Sequence, residues 1–270
     1  MSYRSYMTYS SAEMQKIQEG GKILGDILEQ LLESITPGMN GKDIDARVEQ
    51  LIRASGGTPA FLGYKTRSSD PPYPGTICFS LNDEVVHGIP TKEKIVHDGD
   101  IVSIDIGMVW KDLVTDTAAT IVVGDVPNEA KKLVRVTREA LEVGIRAAQV
   151  GNTVADIGKA VEKYVESQGE YGIVRDLVGH GVGHSLHEDP RVPNYYDKDL
   201  EQWPISEGMV LAIEPMITLG THQVDTADDG WSIVTRDQSL SAHFEHTIII
   251  TEKGPVVATR RPGEQILNIK

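Results

Sequence analysis

The chain carries a diverged internal repeat. PGMNGKDIDARVEQLIRASG, starting at Pro37, matches VGNTVADIGKAVEKYVESQG, starting at Val150, after a shift of 113 residues. Gly38 then lies over Gly151, Asp43 over Asp156, Ile44 over Ile157, Val48 over Val161 and Gly56 over Gly169. A second pair, DGDIVSIDIG from Asp98 and EGMVLAIEPM from Glu207, matches at a shift of 109 and sets Asp105 over Glu214. Self-similarity of this kind predicts two related halves, at about residues 10–125 and 128–260, within one domain at 10–267. Such halves can share a sheet and bury one site at their junction, and both place an acid at the same point of a strand.

The local patterns supply the elements. Ser10-Ser11-Ala12-Glu13 reads as a capping box, followed by Met14, Ile17, Gly21, Leu24, Leu28, Leu31, Leu32 and Ile35 at helical spacing until Pro37-Gly38. A second helix from near Lys42 turns Ile44, Val48, Leu51 and Ile52 inward and stops at Gly56-Gly57. Two more run from near Asn128 toward Ala148 and from Val154 to Gln168. Between Gly56 and Gly107, proline turns and short apolar runs predict strands and loops. DIVSIDIG, from Asp100, puts Ile101, Ser103 and Asp105 on one face of a strand and Val102, Ile104 and Ile106 on the other.

Asp105 interrupts an otherwise apolar ribbon, and Asp116 lies in LVTDTAATIVV before another. A tight turn centred on Trp110-Lys111 would set these two acids directly opposite one another. Facing carboxylates repel unless a proton or a cation lies between them. A surface hairpin carrying two hydrated aspartates also fits those two residues. Glu214 in MVLAIEPM and Glu245 in HFEHTIIIT occupy similarly apolar surroundings, where isolated carboxylates are costly to dehydrate. A shared pair of divalent ions would resolve all four.

GHGVGHSLHEDP adds His180, His184 and His187. Its alternating glycines predict a strand or tight loop rather than a helix, and the HExxH zinc helix is absent. In an extended chain His180 and His184 share a face and His187 points elsewhere. One imidazole is then a ligand and another handles protons or substrate oxygens; the residues alone do not choose between them.

Charge narrows the partners. Lys and Arg total 26 against 40 Asp and Glu, a formal net charge of −14, which argues against sequence-specific nucleic-acid binding. Cys78 is the sole cysteine, which excludes an intrachain disulfide and a cysteine-rich zinc module. No apolar stretch reaches the roughly 20 residues needed to cross a bilayer, so no membrane association is expected and the cytoplasm is the expected location.

The ordered set HGIP, DIG, TDT, GHGVGxxxHEDP, IEPM and FEHT resembles the type I methionine aminopeptidases of the pita-bread metallopeptidase family, from near Glu13 to near Val257. The resemblance implies an α+β, pseudo-twofold pita-bread fold with a curved, mainly antiparallel sheet and outer helices, forming a single catalytic domain. It implies that Asp105, Asp116, His180, Glu214 and Glu245 hold two divalent metal ions, with Asp116 and Glu245 bridging. Oxygen and nitrogen donors without thiolate suit Mn, Fe(II), Co or Zn. By the same resemblance His87 and His187 contact substrate and assist turnover, and Glu214 doubles as general base. Tyr64, Tyr73, Cys78, Leu186 and Trp231 would line a methionine pocket, with Cys78 as wall rather than nucleophile, and His184 would stay outside the chemistry.

The implied reaction is removal of N-terminal methionine from peptides and nascent chains, with transient ribosome contact. Three departures stand out: the Tyr64 to Tyr73 segment is long, His243 stands where glutamine or another polar residue is common, and Lys111-Asp112-Leu113 replaces a glycine-containing turn. The 34 residues from His180 to Glu214 leave no room for the type II helical insertion, and the absence of a zinc-finger extension fits a short bacterial-like form. A proline-directed aminopeptidase of the same fold and a catalytically inactive binding protein are the alternatives.

Overall fold

The computed structural model describes residues 7–66, 68 and 71–264. The expected domain limit at 267 and part of the Tyr64 to Tyr73 segment lie outside them. Helix α1 (Ser11–Leu32) begins at the expected capping box, where Glu13 N–H donates to Ser10 Oγ and Ser10 N–H donates to Glu13 Oε2. Helix α2 (Gly41–Ala54) is capped by Asn40, and α3 (Asn128–Ala147) and α4 (Val154–Gln168) follow in the second half. α2 and α4 start 113 residues apart, and the strands Ile101–Trp110 and Val210–Ile213 start 109 apart, the two shifts of the repeat.

In the first half the hairpin Ile101–Trp110 and Leu113–Val122 pairs outward with Ile77–Leu81 and Thr58–Pro59. In the second, Gly254–Val257, His246–Thr251, Val210–Ile213, Gly179–Gly181 and Glu188–Val192 form a five-stranded sheet in that order. Two three-stranded sheets complete the strands, and every named ladder among the described residues is antiparallel.

One apolar cluster runs through both halves. It joins Leu24, Leu28 and Leu31 of α1, Ile44, Val48 and Ile52 of α2, Ile104 and Ile106 of the central hairpin, Leu141 and Ile145 of α3, and Leu211 and Ile213. Each such side chain contributes about 1.5–3 kcal/mol when fully buried, so the helices are held against this face of the strands by the hydrophobic effect. Asp45, on the inner side of α2, is buried because its carboxylate accepts from Thr76 N–H at 2.6 Å and Ile77 N–H at 3.1 Å, pinning the start of the next strand.

The hairpin register differs from the expected one. The turn is centred on Lys111 and Asp112, both with left-handed backbone (φ 49° and 68°), so Asp105 pairs with Ala118 and Asp116 with Gly107. Such a two-residue turn normally uses Asn-Gly, which is why the sequence does not announce it. The correction moves pairing by two residues and preserves the face, leaving the two acids as diagonal neighbours.

The halves meet along a seam. Glu245 N–H donates to Ala118 O at 2.9 Å, Ala118 N–H to Glu245 O at 3.3 Å, and Thr117 Oγ1 to Glu245 O at 2.8 Å. Thr247 Oγ1 accepts from Asp116 N–H at 2.9 Å and donates to Asp116 O at 2.8 Å. The backbone pair at Ala118 and Glu245 and the flanking threonine hydroxyls thus join two separately paired sheets. No helix among the described residues is long and apolar enough to cross a membrane.

Candidate metal centre

The seam decides which acids meet. Asp105 and Asp116 project from the hairpin face opposite Ile104 and Ile106, and the threonine bonds bring Asp116 beside Glu245. Glu214 and Glu245 each lie one residue past the Ile213 and His246 pair, at the same end of that ladder. His180 stands across from Ala212, with its Nε2 at 3.4 Å from Glu214 Oε1. Donor atoms of Asp116, His180 and Glu245 lie within 4.8 Å of one another. The glycines flanking His180 are needed for this approach: a Cβ at Gly179 would lie 2.3 Å from Ala212 O, and one at Gly181 2.5 Å from Asp189 O.

Among the described residues, no lysine or arginine pairs with these acids. Asp105 Oδ1, Asp116 Oδ1 and Glu245 Oε1 are buried with no hydrogen-bond partner among the described residues. Burial first, and Glu214 second, push the Asp105 carboxyl up to about 8. Burial and then Asp105 hold Asp116 well above the usual carboxylate range. Glu214 is raised by burial and Asp116, and Glu245 by burial, Asp116, Glu214 and Asp105. Desolvation lowers His180 to about 3, keeping a neutral ring with a lone pair to give. Orphaned carboxylate oxygens around a neutral imidazole fit divalent cations, which take oxygen and nitrogen donors and remove the mutual repulsion.

A cavity of about 520 Å³ opens above these acids. It is lined by every residue nominated from the sequence: Asp105, Asp116, His180, Glu214 and Glu245 with His87, His187, Tyr64, Tyr73, Cys78, Leu186 and Trp231. His87 holds a left-handed backbone (φ 59°), a strained placement of the kind that gathers at functional sites, and burial lowers its ring to about 4. The single Tyr73 hydroxyl proton is shared between Ile77 O and Gly88 O, both at 2.9 Å, tying the segments that carry Cys78 and His87. Trp231 meets Tyr73 edge to face at 5.2 Å. Burial also raises the Cys78 thiol well above its usual range, which suits a wall and not a nucleophile.

The histidine faces differ from the extended-strand expectation. The strand ends at Gly181 and the chain turns at Gly183 (φ 147°), so His187 returns to pack on His180, rings 4.4 Å apart. His184 faces away, stacked on Tyr9 at 4.8 Å with Nε2 3.5 Å from Glu13. Tyr64, read as an apolar wall, also hydrogen-bonds His187 Nδ1 at 2.6 Å. Sequence reasoning missed Phe61, Thr66, Asp176 and Arg191 on the cavity wall, whose isolated positions carry no pattern. It noted His243 as a departure without placing it at the site, where its Nε2 lies 3.5 Å from Glu214 Oε2; its position two residues before Glu245 was the available signal.

Uncompensated acids lining a largely apolar cleft, built on a seam between related halves, define a metal-dependent hydrolase. The chain belongs to metallopeptidase family M24, which residues 15–252 match, and within it to the type I methionine aminopeptidases. It is 41% identical over 250 residues to a methionine aminopeptidase of Clostridium acetobutylicum, covering 93% of this chain and 97% of that one. It is 43% identical over 252 residues to that of Aquifex aeolicus, again covering 93% and 97%. The crystal structure of methionine aminopeptidase from Thermotoga maritima superposes with a TM-score of 0.89 at 40% identity, over 95% of this chain and 100% of that one. The expected pita-bread architecture is therefore the one observed. A prolidase from Pyrococcus horikoshii shares the fold at a TM-score of 0.73 and 24% identity, but this chain spans only 64% of it.

Proposed function

We propose that the chain hydrolyses the first peptide bond of substrates with N-terminal methionine, using two divalent cations held by Asp105, Asp116, His180, Glu214 and Glu245. The observation that carries the reading is the set of buried carboxylate oxygens in the cavity lining left without partners among the described residues. When bound, such ions supply Lewis acidity toward a peptide carbonyl and acidify a water; Mn, Fe(II), Co and Zn all suit these donors. Asp116 and Glu245, brought together by the seam, would be the acids available to both ions. Glu214 accepts the proton of the attacking water as general base.

His87 and His187 flank the acids and orient the peptide, and His187 hands on a proton while Tyr64 fixes its Nδ1 side. Tyr64, Tyr73, Cys78, Leu186 and Trp231 receive the unbranched, polarizable methionine side chain. We extend the substrate to nascent chains in the cytoplasm. Ribosome contact would be transient, because a net charge of −14 favours no broad grip on RNA. The two halves act as one catalytic domain, since a single apolar cluster runs through both.

Stripping the protein of metal, restoring each ion anaerobically and assaying Met-Ala-Ser against Ala-Pro peptides tests the reading. Metal-dependent release of methionine from the first is expected. Preference for Ala-Pro would establish the proline-directed alternative, and no hydrolysis with any ion would leave a binding protein.

A further inference from the structure

His243 closes the strand Ser241–His243, two residues before Glu245. Its backbone is clamped to the strand that carries Asp116: its N–H donates to Thr120 Oγ1 at 2.9 Å, and its carbonyl accepts from the same hydroxyl at 2.6 Å. The side chain is 2% exposed, and Nε2 has no hydrogen-bond partner among the described residues. Leaving a buried nitrogen unpaired is costly, so its surroundings should show what it serves. The carboxylate in reach is Glu214, with Oε2 at 3.5 Å, while Oε1 of the same group faces His180 Nε2 at 3.4 Å. The two oxygens of Glu214 are therefore divided between two imidazoles. Only one of these rings belongs to the group whose donor atoms converge, Asp116, His180 and Glu245.

We infer that His243 is a positioning residue for Glu214. With its proton on Nε2, the neutral ring donates to Oε2 and turns Oε1 toward His180 and the cations. Glu214 reaches the site on a flexible side chain, whereas the His243 ring is mounted on a backbone fixed by Thr120, so the histidine holds the carboxylate rather than the reverse. Partners of this kind orient a ligand, and their loss typically lowers metal affinity or activity by about 10–100-fold. The inference rests on the metal-site reading above.

The test is calorimetric titration of metal-free protein with Mn(II) and Co(II), together with the visible spectrum of the Co(II) form. In His243→Leu, affinity at the site containing Glu214 should fall by about 10–100-fold with an altered Co(II) spectrum. His243→Gln, which retains an N–H donor, should stay within about threefold of the parent, well below that range. Parental affinity and spectrum in His243→Leu would overturn the assignment, as would an equal loss in His243→Gln, which would make ring volume the cause. If His243→Leu loses its near-ultraviolet dichroism, His243→Asn, too short to reach Glu214, is read by the same criteria. Failure of the parent protein to bind either ion would instead sink the metal-centre reading, and the same titration shows this before any variant is made.

Discussion

Glu245 and His246 are neighbours in sequence and belong to different chemistries. Glu245 turns into the cavity with Asp105, Asp116 and Glu214. His246 points to the other side of the strand, where Glu142 and Glu264 bring donor atoms within 4.8 Å of it and of one another. Both clusters are buried and rich in acid, and by donor type alone both could take a metal. The second already has its cations: Arg260 pairs with Glu142, Arg261 pairs with Glu264, and His246 Nε2 lies 3.0 Å from Glu264 Oε2. Burial alone would raise Glu264, but His246, Arg261 and Arg260 outweigh it and hold its carboxyl at about 2. In the cavity the carboxyls shift the opposite way. The sign of the shift, rather than the number of acids, separates a site that needs ions from one the protein has neutralised itself.

Substitution on the two sides of the strand sharpens that contrast. Asp116→Ala should abolish metal binding and lower peptide hydrolysis by more than about 100-fold, the upper range for mere supporting partners. Full metal occupancy with normal cleavage would refute its bridging assignment. Glu264→Ala strands the buried Arg261 guanidinium and leaves His246 Nε2 without its partner, and should cost about 3–5 kcal/mol in a denaturant melt, while the variant that remains folded keeps its metal affinity. A large loss of metal there would mean that the clusters are one unit.

The pH dependences should oppose one another. Glu264 ionises at about 2 when folded and nearer 4.3 when unfolded, so its stabilisation is present above about pH 4 and lost as acid approaches 2. Asp105 is shifted to about 8, so in metal-free protein its contribution is fully present below about pH 4 and disappears as pH rises through 8. Melting temperatures of chelated protein should therefore fall between about pH 5 and 8 more steeply than those of metal-loaded protein, and equal slopes would contradict the uncompensated character of the cavity. The smallest effect is expected for Tyr64→Phe. Losing its bond to His187 removes about 0.5–1.5 kcal/mol, a decrease of roughly 2- to 13-fold in kcat, with metal affinity unchanged. An unchanged rate would reduce Tyr64 to a pocket wall.

Much of this molecule is legible in its sequence because local physics is written locally. The capping box at Ser10, the apolar spacing of α1 and α2, and the shifts of 113 and 109 residues predict the helices and the paired halves. The odd and even faces of Ile101 to Ile106 place Asp105 away from the helices. The turn at Lys111-Asp112 escaped because neither residue advertises a left-handed backbone, and one misplaced turn residue shifts a whole register. The family motif nominated His187, but its packing on His180 escaped the strand reading, because a face assignment holds only while the strand stays extended, and Gly183 bends it. His243 lay in plain view as a departure, yet nothing in HFEHT says that its ring meets Glu214.

By itself the sequence determined which residues are helical, which face of each strand is apolar, and that four acids occupy surroundings hostile to charge. Only the tertiary structure decided that Asp105, Asp116, Glu214 and Glu245 share one cavity with no arginine or lysine paired to them among the described residues, while Glu142 and Glu264 face arginines. Periodicity fixes a side chain's direction from its own backbone, but desolvation and Coulomb energy depend on distances between segments that only the packed seam brings together.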